Sequence, residues 1–445
     1  MNKKSNYSAM SKTILFGGAG LGLLMLLIMS LFIFIRPQKY AARFDTLAKI
    51  KKYADSVNEY PKNDEINWIN PDYSSYYRSL RPSFLSKIVT RLGLKKGPGW
   101  SLGSFDYIVR AVTHDRETHK LTGVCARVIM PKDEYRFFIW TDLQGSLHSL
   151  VRCLEQLHTE GIIDEQLKIK EGCHFVFNGN LFAHGPFVLQ TLTVVLWLMY
   201  INPNQVFMVR NYHEQPQGWY DQQPASMLRI LARTEHEPTV PYAEAIDALL
   251  NTLPDVFYIT REHDDAYQSV EVAYAPYAED IFTRSCSHAM IVDEEEKTKI
   301  VSYDQRGFMN EKPLGVRAII INPDEEQRSI SSSGYYTGLM PAGSNKGVFE
   351  WFNFSSPNGR SHQLYQFYYD VIVELRTTGS VDQWTISETR NDVRDTHYFE
   401  FVGSYYVVNG RRPDDEQRIE ILERQIEKVE KELEEAKRKC AEGAA

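Results

Sequence analysis

The sequence predicts an α/β domain that is attached to a membrane by an N-terminal helix. Strand-like and helix-like segments alternate between residues 107 and 274, and such alternation is typical of α/β folds. Strand-like segments dominate after residue 285, which predicts a second sheet packed on the first. A stretch of 23 residues near the N-terminus carries no charge and predicts the membrane helix.

The α/β part begins with short apolar runs separated by turn-rich segments. Residues 107–112 and 124–130 favour a hairpin, and residues 135–141 and 174–177 favour buried strands because their apolar residues are nearly continuous. A long apolar helix is expected over residues 186–200, with a proline at its start, where a missing N–H costs no hydrogen bond. The remaining predicted elements are a strand at 205–209, a helix at 243–250, strands at 256–259 and 270–274, a hairpin at 289–304, and strands within 316–322, 347–354, 364–375 and 397–408.

The uncharged stretch spans residues 13–35, after an N-terminal tail of residues 1–12. As a helix it is about 35 Å long, enough to cross the ~30 Å hydrocarbon layer of a bilayer. A cleaved signal peptide has a shorter apolar core and a small-residue cleavage motif, so the sequence favours an uncleaved anchor. More Lys and Arg residues follow the span than precede it, and the positive-inside rule then places the large domain in the cytoplasm.

Helical segments are predicted on both sides of the domain. Residues 36–103 are interpreted as a juxtamembrane stalk or adaptor, and residues 104–410 as the domain itself. Residues 414–440 carry apolar residues at alternating spacings of three and four, which is the heptad pattern of a coiled coil. The pattern fits two alternatives equally, a helix that joins two copies of the chain and a single amphipathic helix that lies on the domain.

Composition excludes several classes of function. The chain has 445 residues and a net charge of −8, and general nucleic-acid binding depends on a basic surface, so no nucleic-acid partner is expected. The five cysteines are scattered and lack the C-x-x-C spacing of zinc ribbons, and their odd number does not suggest a disulfide framework.

Several motifs in the domain occur in a specific order. FFIWTDLQGSL is followed by HFVFNGNLFAHGPF, a long apolar helix, and YINPNQVFMVRNYHE; LPDVFYI, VAYAPYAED and WFNFSSPNG come later. This series resembles the motifs of calcineurin-like metallophosphoesterases, in particular the phosphoprotein phosphatase branch, over residues 106–408. The resemblance implies a β-sandwich flanked by helices, and in active members two metal ions that bind phosphate and activate a water.

Most metal-ligand positions of that family are changed in this chain. Asp142 is retained, but Gln144 stands at a histidine position and Asn180 at the position of the bridging aspartate. Tyr212 replaces an asparagine ligand, and Tyr274 aligns with a further histidine. Neutral amide oxygens are weak ligands and cannot offset the repulsion of two divalent cations. The resemblance therefore implies a pseudophosphatase without metal or other cofactor.

The remaining residues of the family's site predict a vestigial pocket rather than a catalytic centre. His184 stands at the position of a phosphate-binding arginine, and His213 persists from the third motif. Arg306 aligns loosely with a later arginine of the family. Together with Asp142, these three residues are candidates to line the pocket.

The main hypothesis is a membrane-anchored, catalytically inactive protein that acts as a scaffold or docking subunit for other proteins of a membrane-associated complex. Two alternatives stay open. One is an active phosphoesterase whose metal site is rearranged around His148, His174, His184 and His213. The other is a sensor that binds a phosphorylated ligand without hydrolysing it.

Overall fold

Two six-stranded β-sheets pack face to face, and helices cover the outer face of one of them. The structure is a computed structural model. It describes residues 44–57, 100–119, 125–130, 134–182, 185, 187–215, 218–221, 223–235, 238–263, 266–273, 288–291, 299–302, 314–321, 337–339, 347–351, 353, 355, 369–395, 398–408 and 410–412.

The described helices are α1 (Leu47–Ser56), α2 (Leu102–Thr118), α3 (Leu147–Thr159), α4 (Val188–Ile201), α5 (Gln223–Glu235) and α6 (Val240–Thr252), with short 3-10 turns at Tyr212–Glu214, Gly218–Asp221 and Val381–Gln383. The described strands are β1 (Cys125–Ile129), β2 (Arg136–Trp140), β3 (Cys173–Phe177), β4 (Val206–Met208), β5 (Val256–His263), β6 (Ala266–Ala273), β7 (His288–Ile291), β8 (Lys299–Ser302), β9 (Leu314–Ile321), β10 (Thr337–Leu339), β11 (Gly347–Trp351), β12 (Tyr369–Arg376), β13 (Thr385–Asp392) and β14 (Glu400–Tyr406).

The helix-covered sheet has the strand order β14-β13-β12-β2-β3-β4, in which β2, β3 and β4 are parallel. The second sheet has the order β1-β5-β6-β9-β11-β10, and β7 and β8 form a separate antiparallel pair. Side chains from the facing surfaces of the two large sheets form one apolar core, which includes Val176, Phe257 and Val373. The predicted two-sheet arrangement is therefore present, but the strands after residue 285 do not form a sheet of their own. Strands β12, β13 and β14 join β2, β3 and β4, and β9, β10 and β11 join β1, β5 and β6.

Helix α4 occupies the centre of the helical layer, as its continuous apolar sequence predicts. Every residue from Val188 to Met199 is buried. Within this run the Thr193 hydroxyl is hydrogen-bonded, since it donates to Leu189 O (2.6 Å) and accepts from Trp100 Nε1 (2.9 Å). A helix that is apolar all round requires burial on all sides, and neighbouring helices and the sheet supply it.

The predicted hairpin over residues 107–112 and 124–130 is wrong in its first half. Residues 107–112 lie in helix α2, which begins with a capping box in which Ser101 and Ser104 exchange hydrogen bonds. The buried residues Leu102, Phe105 and Val109 follow the helical period. The second half is a strand, β1, which pairs in parallel with β5 instead of with residues 107–112.

The first described helix, α1, is part of the helical core although its residues belong to the predicted stalk. The same cluster that contains α4 also buries Phe44, Leu47, Ile50 and Tyr53.

The predicted span at 13–35 and the predicted helix at 414–440 lie outside the described residues. Within the described part of the chain, no helix is both long and apolar enough to cross a bilayer.

His174 lies in β3 between the two sheets, where its ring stacks on Phe137 with centroids 4.8 Å apart. Burial lowers the pKa of His174 to about 4. An unfolded chain binds this proton near pH 6.5, whereas the folded chain does not bind it until about pH 4. The free energy of unfolding therefore decreases as the pH falls from about 6.5 to about 4.

We expect His174→Phe to remove this acid sensitivity, since phenylalanine keeps the stacked ring and cannot be protonated. In wild type, His174 alone costs up to about 3 kcal/mol of unfolding free energy between pH 6.5 and pH 4. Denaturant unfolding of the full chain in detergent, repeated across this pH range, measures the difference. Parallel loss of stability in both proteins would contradict the assignment.

Candidate functional site

Four loops meet where the parallel strands β2, β3 and β4 end. Asp142 follows β2, Asn180 follows β3, the 3-10 turn Tyr212–Glu214 follows β4, and Asn353 comes from the loop after β11. Carboxyl ends of parallel strands are the usual position of sites in α/β folds. Asp142, Asn180, Glu214 and Asn353 are all buried.

The Asp142 carboxylate is hydrogen-bonded by two side-chain amides. Gln144 Nε2 and Asn180 Nδ2 each donate to Asp142 Oδ2 at 3.2 Å. Each amide must present nitrogen to the carboxylate, because an amide oxygen at this distance would be repelled by the negative charge. Gln144 and Asn180 therefore act as hydrogen-bond donors to Asp142.

The backbone holds the two amides in place. Gln144 N donates to Asn180 O (2.8 Å), so the loops after β2 and β3 are tied directly to each other. Both residues have a positive φ, 44° for Gln144 and 56° for Asn180, which only a few per cent of non-glycine residues adopt. Strained backbone of this kind persists where the surrounding contacts over-determine it.

Glycines permit the close approach of the loops around Gln144. A Cβ atom on Gly185 would lie 1.7 Å from the carbonyl oxygen of Gln144, so no side chain fits at Gly185. Gly145 has a φ of 69°, and a Cβ there would lie 2.6 Å from a methyl carbon of Val188 at the start of α4. The glycines of the two motif loops are thus required by packing.

The Glu214 carboxylate accepts four backbone hydrogen bonds. Oε2 accepts from the N–H groups of Asn180 (3.1 Å) and Asn211 (3.2 Å). Oε1 accepts from the N–H groups of Leu181 (2.7 Å) and Phe182 (3.0 Å). Because these donors belong to the loops after β3 and β4, Glu214 fixes one loop against the other.

Asn353 links the β2 loop to the end of β11 by hydrogen bonds in the same way. Its Oδ1 accepts from Thr141 N (2.8 Å), its Nδ2 donates to Val371 O (2.9 Å), and its own N–H donates to Asp142 O (3.0 Å). Sequence reasoning assigned no role to Glu214 or Asn353. The motifs that contain them, NYHE and WFNFSSPN, were the available signal.

The structure brings together only some of the predicted site residues. Asp142, Gln144 and Asn180 form the amide-bonded group, and His213 lies beside Glu214 in the 3-10 turn that begins at Tyr212. His184, Tyr274 and Arg306 lie outside the described residues.

The other histidines proposed for a rearranged metal site point elsewhere. The His148 ring lies 3.0 Å from Ala54 O and 3.1 Å from Val57 O, and so links the start of α3 to the end of α1. His174 lies between the sheets, stacked on aromatic rings. Neither converges on Asp142.

The described residues of the site do not fit a dinuclear metal centre. Asp142 Oδ2 accepts from two amides, and both oxygens of Glu214 accept from backbone N–H groups. In the described part of the chain, no three His, Cys, Asp or Glu side chains form a group able to hold a metal ion. The donor set supplies N–H groups where a metal centre needs anionic oxygen or imidazole ligands.

No family model matches the chain. No curated protein matches it either. A search of solved structures finds, among others, a protein serine/threonine phosphatase from Saccharomyces cerevisiae with similarity to human phosphatase PP5. The two chains share 13% sequence identity at a TM-score of 0.36, over 65% of this chain and 87% of the yeast chain.

We expect Asn180→Asp to destabilise the protein at neutral pH. Aspartate tolerates the positive φ about as well as asparagine does. The change, however, removes one donor to Asp142 and places a second carboxylate about 3 Å away in a buried site, at an expected cost of about 2–4 kcal/mol. Urea unfolding of the full chain at pH 7 measures this loss.

The exposed Asn204→Asp is the matched control and should change stability by less than about 0.5 kcal/mol. The loss in Asn180→Asp should shrink toward pH 5, because one of two adjoining carboxyls then holds a proton. If Asn180→Asp is as stable as the wild-type protein at pH 7, the hydrogen-bond assignment is contradicted.

Proposed function

We propose that the chain is a single-pass membrane protein whose phosphatase-like domain is catalytically inactive and acts as a scaffold or docking subunit in a membrane-associated protein assembly. The observation that carries the proposal is the pair of amide hydrogen bonds to Asp142. These neutral amide donors stabilise the buried carboxylate, a role that cations otherwise perform.

Hydrolysis in the family that the sequence resembles depends on metal ions that activate a water. A cation that binds Asp142 Oδ2 displaces the amides of Gln144 and Asn180, and both hydrogen bonds to that oxygen are lost. Hydrogen bonds to a charged group contribute about 1.5–3 kcal/mol each, so this rearrangement opposes metal binding by several kcal/mol.

The loops nevertheless keep a fixed arrangement. Glu214 and Asn353 hold the strand ends together through hydrogen bonds within the chain, and neither residue needs a ligand to do so. A site without metal chemistry that keeps a rigid surface is better suited to binding than to turnover.

Membrane attachment rests on the uncharged stretch at 13–35, and the cytoplasmic position of the domain on the basic residues that follow it. Other proteins of the assembly are the proposed partners, together with a second copy of the chain if the 414–440 helix forms a coiled coil. Neither a cofactor nor nucleic acid is part of the proposal.

Affinity purification of the full chain from detergent-solubilised native membrane tests the scaffold role. We expect one or more other proteins to be recovered in constant ratio to the chain across independent preparations and salt concentrations. An unrelated single-pass protein with the same tag is the control for carry-over. Recovery of the chain by itself, as a monomer, would contradict the proposal.

A further inference from the structure

The helix-covered sheet gives the domain two distinct edges. We call the end at which β2, β3 and β4 begin the amino edge; it includes the loop of residues 162–172 and the turn of residues 202–205. We call the opposite end, which holds the Asp142 group, the carboxyl edge. Helix α3 runs between them and is about 20 Å long.

The chain enters the described domain at the amino edge. At the start of α1, the N–H of Leu47 donates to Glu165 O (3.0 Å) and the N–H of Ala48 donates to Glu165 Oε1 (2.9 Å). At the end of α1, the His148 ring at the start of α3 contacts Ala54 O. Helices α1 and α3 are therefore antiparallel, and the first residues of α1 lie on the 162–172 loop.

The link between this point and the predicted membrane span is short. Only residues 36–43 separate the end of the span at Ile35 from Phe44, which is buried in the helical core. Eight linking residues can cover at most about 30 Å when fully extended. The point at which the chain enters the domain, at the amino edge, is consequently held within about 30 Å of the end of the predicted span.

Near this edge the surface carries exposed aromatic side chains. Tyr200 in the last turn of α4 is 45% exposed and packs edge-on against Trp197, with ring centroids 5.8 Å apart. Tyr107 of α2 is 43% exposed and lies 6.2 Å from the same indole. Tyrosine and tryptophan are the residues enriched where proteins meet the headgroup layer of a membrane.

The charges of the amino edge are mixed. Lys168 and Lys170 are exposed, and Lys168 Nζ also donates to Ile201 O (2.7 Å) at the end of α4. The same loop carries Asp164 and Glu171, which are exposed as well. Attraction to anionic lipid is therefore a minor contribution. Exposed aromatic side chains are present at both edges, so the point of chain entry is the feature that distinguishes the amino edge.

We propose that the amino edge lies against the lipid headgroups, with Tyr200 and Tyr107 in contact with lipid. The carboxyl edge then faces away from the bilayer, and its surface is accessible to protein partners in the aqueous phase. This inference rests on the proposed membrane anchor and adds the orientation of the domain to it.

Tyr398 provides a matched control position. It precedes β14, whose first residue Glu400 pairs with Arg390 toward the end of β13. Strand β13 runs in the same direction as β2, because both are antiparallel to β12, so Tyr398 lies at the carboxyl edge. It is 81% exposed, more than Tyr200, and its side chain is the same.

The test places the photoreactive residue p-benzoylphenylalanine at Tyr200 or at Tyr398 of the full chain. Each protein is reconstituted into liposomes of phosphatidylcholine with a small fraction of fluorescent phosphatidylethanolamine, floated on a density gradient and irradiated. We expect lipid adducts at least fivefold more abundant from position 200 than from position 398, with little change between low and high salt.

Flotation distinguishes a failure of the proposed membrane anchor from a failure of the proposed orientation. A chain that does not float with the liposomes contradicts the membrane anchor, and the orientation with it. A chain that floats but yields equal adducts, more adducts from position 398, or none from position 200 contradicts the orientation and leaves the anchor standing.

Discussion

The arrangement of the candidate site depends on one buried negative charge, the carboxylate of Asp142. A buried carboxylate must be compensated, and in this chain Gln144 and Asn180 do so with one amide N–H each. The two amides can reach Asp142 because their backbones adopt positive φ and because Gly185 leaves room for the Gln144 carbonyl. The loops after β2 and β3 are packed around that requirement.

The other loops at the strand ends are also held by hydrogen bonds within the chain. Glu214 uses both carboxylate oxygens on the loops after β3 and β4, and Asn353 joins the β2 loop to the second sheet. Asp142 Oδ2, both carboxylate oxygens of Glu214 and Oδ1 of Asn353 are hydrogen-bonded within the protein itself. These hydrogen bonds fix the loops at the strand ends against one another.

Sequence patterns predicted the elements whose apolar residues are continuous, such as β2, β3 and α4, because burial on all sides leaves a clear pattern. They failed at α2, where the capping residue Ser101 lies six residues before the run that was interpreted as a strand. They also missed β13, since its buried position 388 is a glutamate, whose pKa burial raises to about 8. At the site, the sequence identified Asp142, Gln144 and Asn180, but not that the amides donate to the carboxylate, which only the folded loops bring about.

The proposed function requires that Asp142, with its amide donors Gln144 and Asn180, does not bind a divalent cation. Calorimetric titration of Mn²⁺ into the full chain in detergent at pH 7 tests it most directly, with Asp142→Asn as the reference. We expect no saturable heat beyond that of the reference at millimolar Mn²⁺. Binding of one or two ions per chain with micromolar affinity, lost in Asp142→Asn, would contradict it.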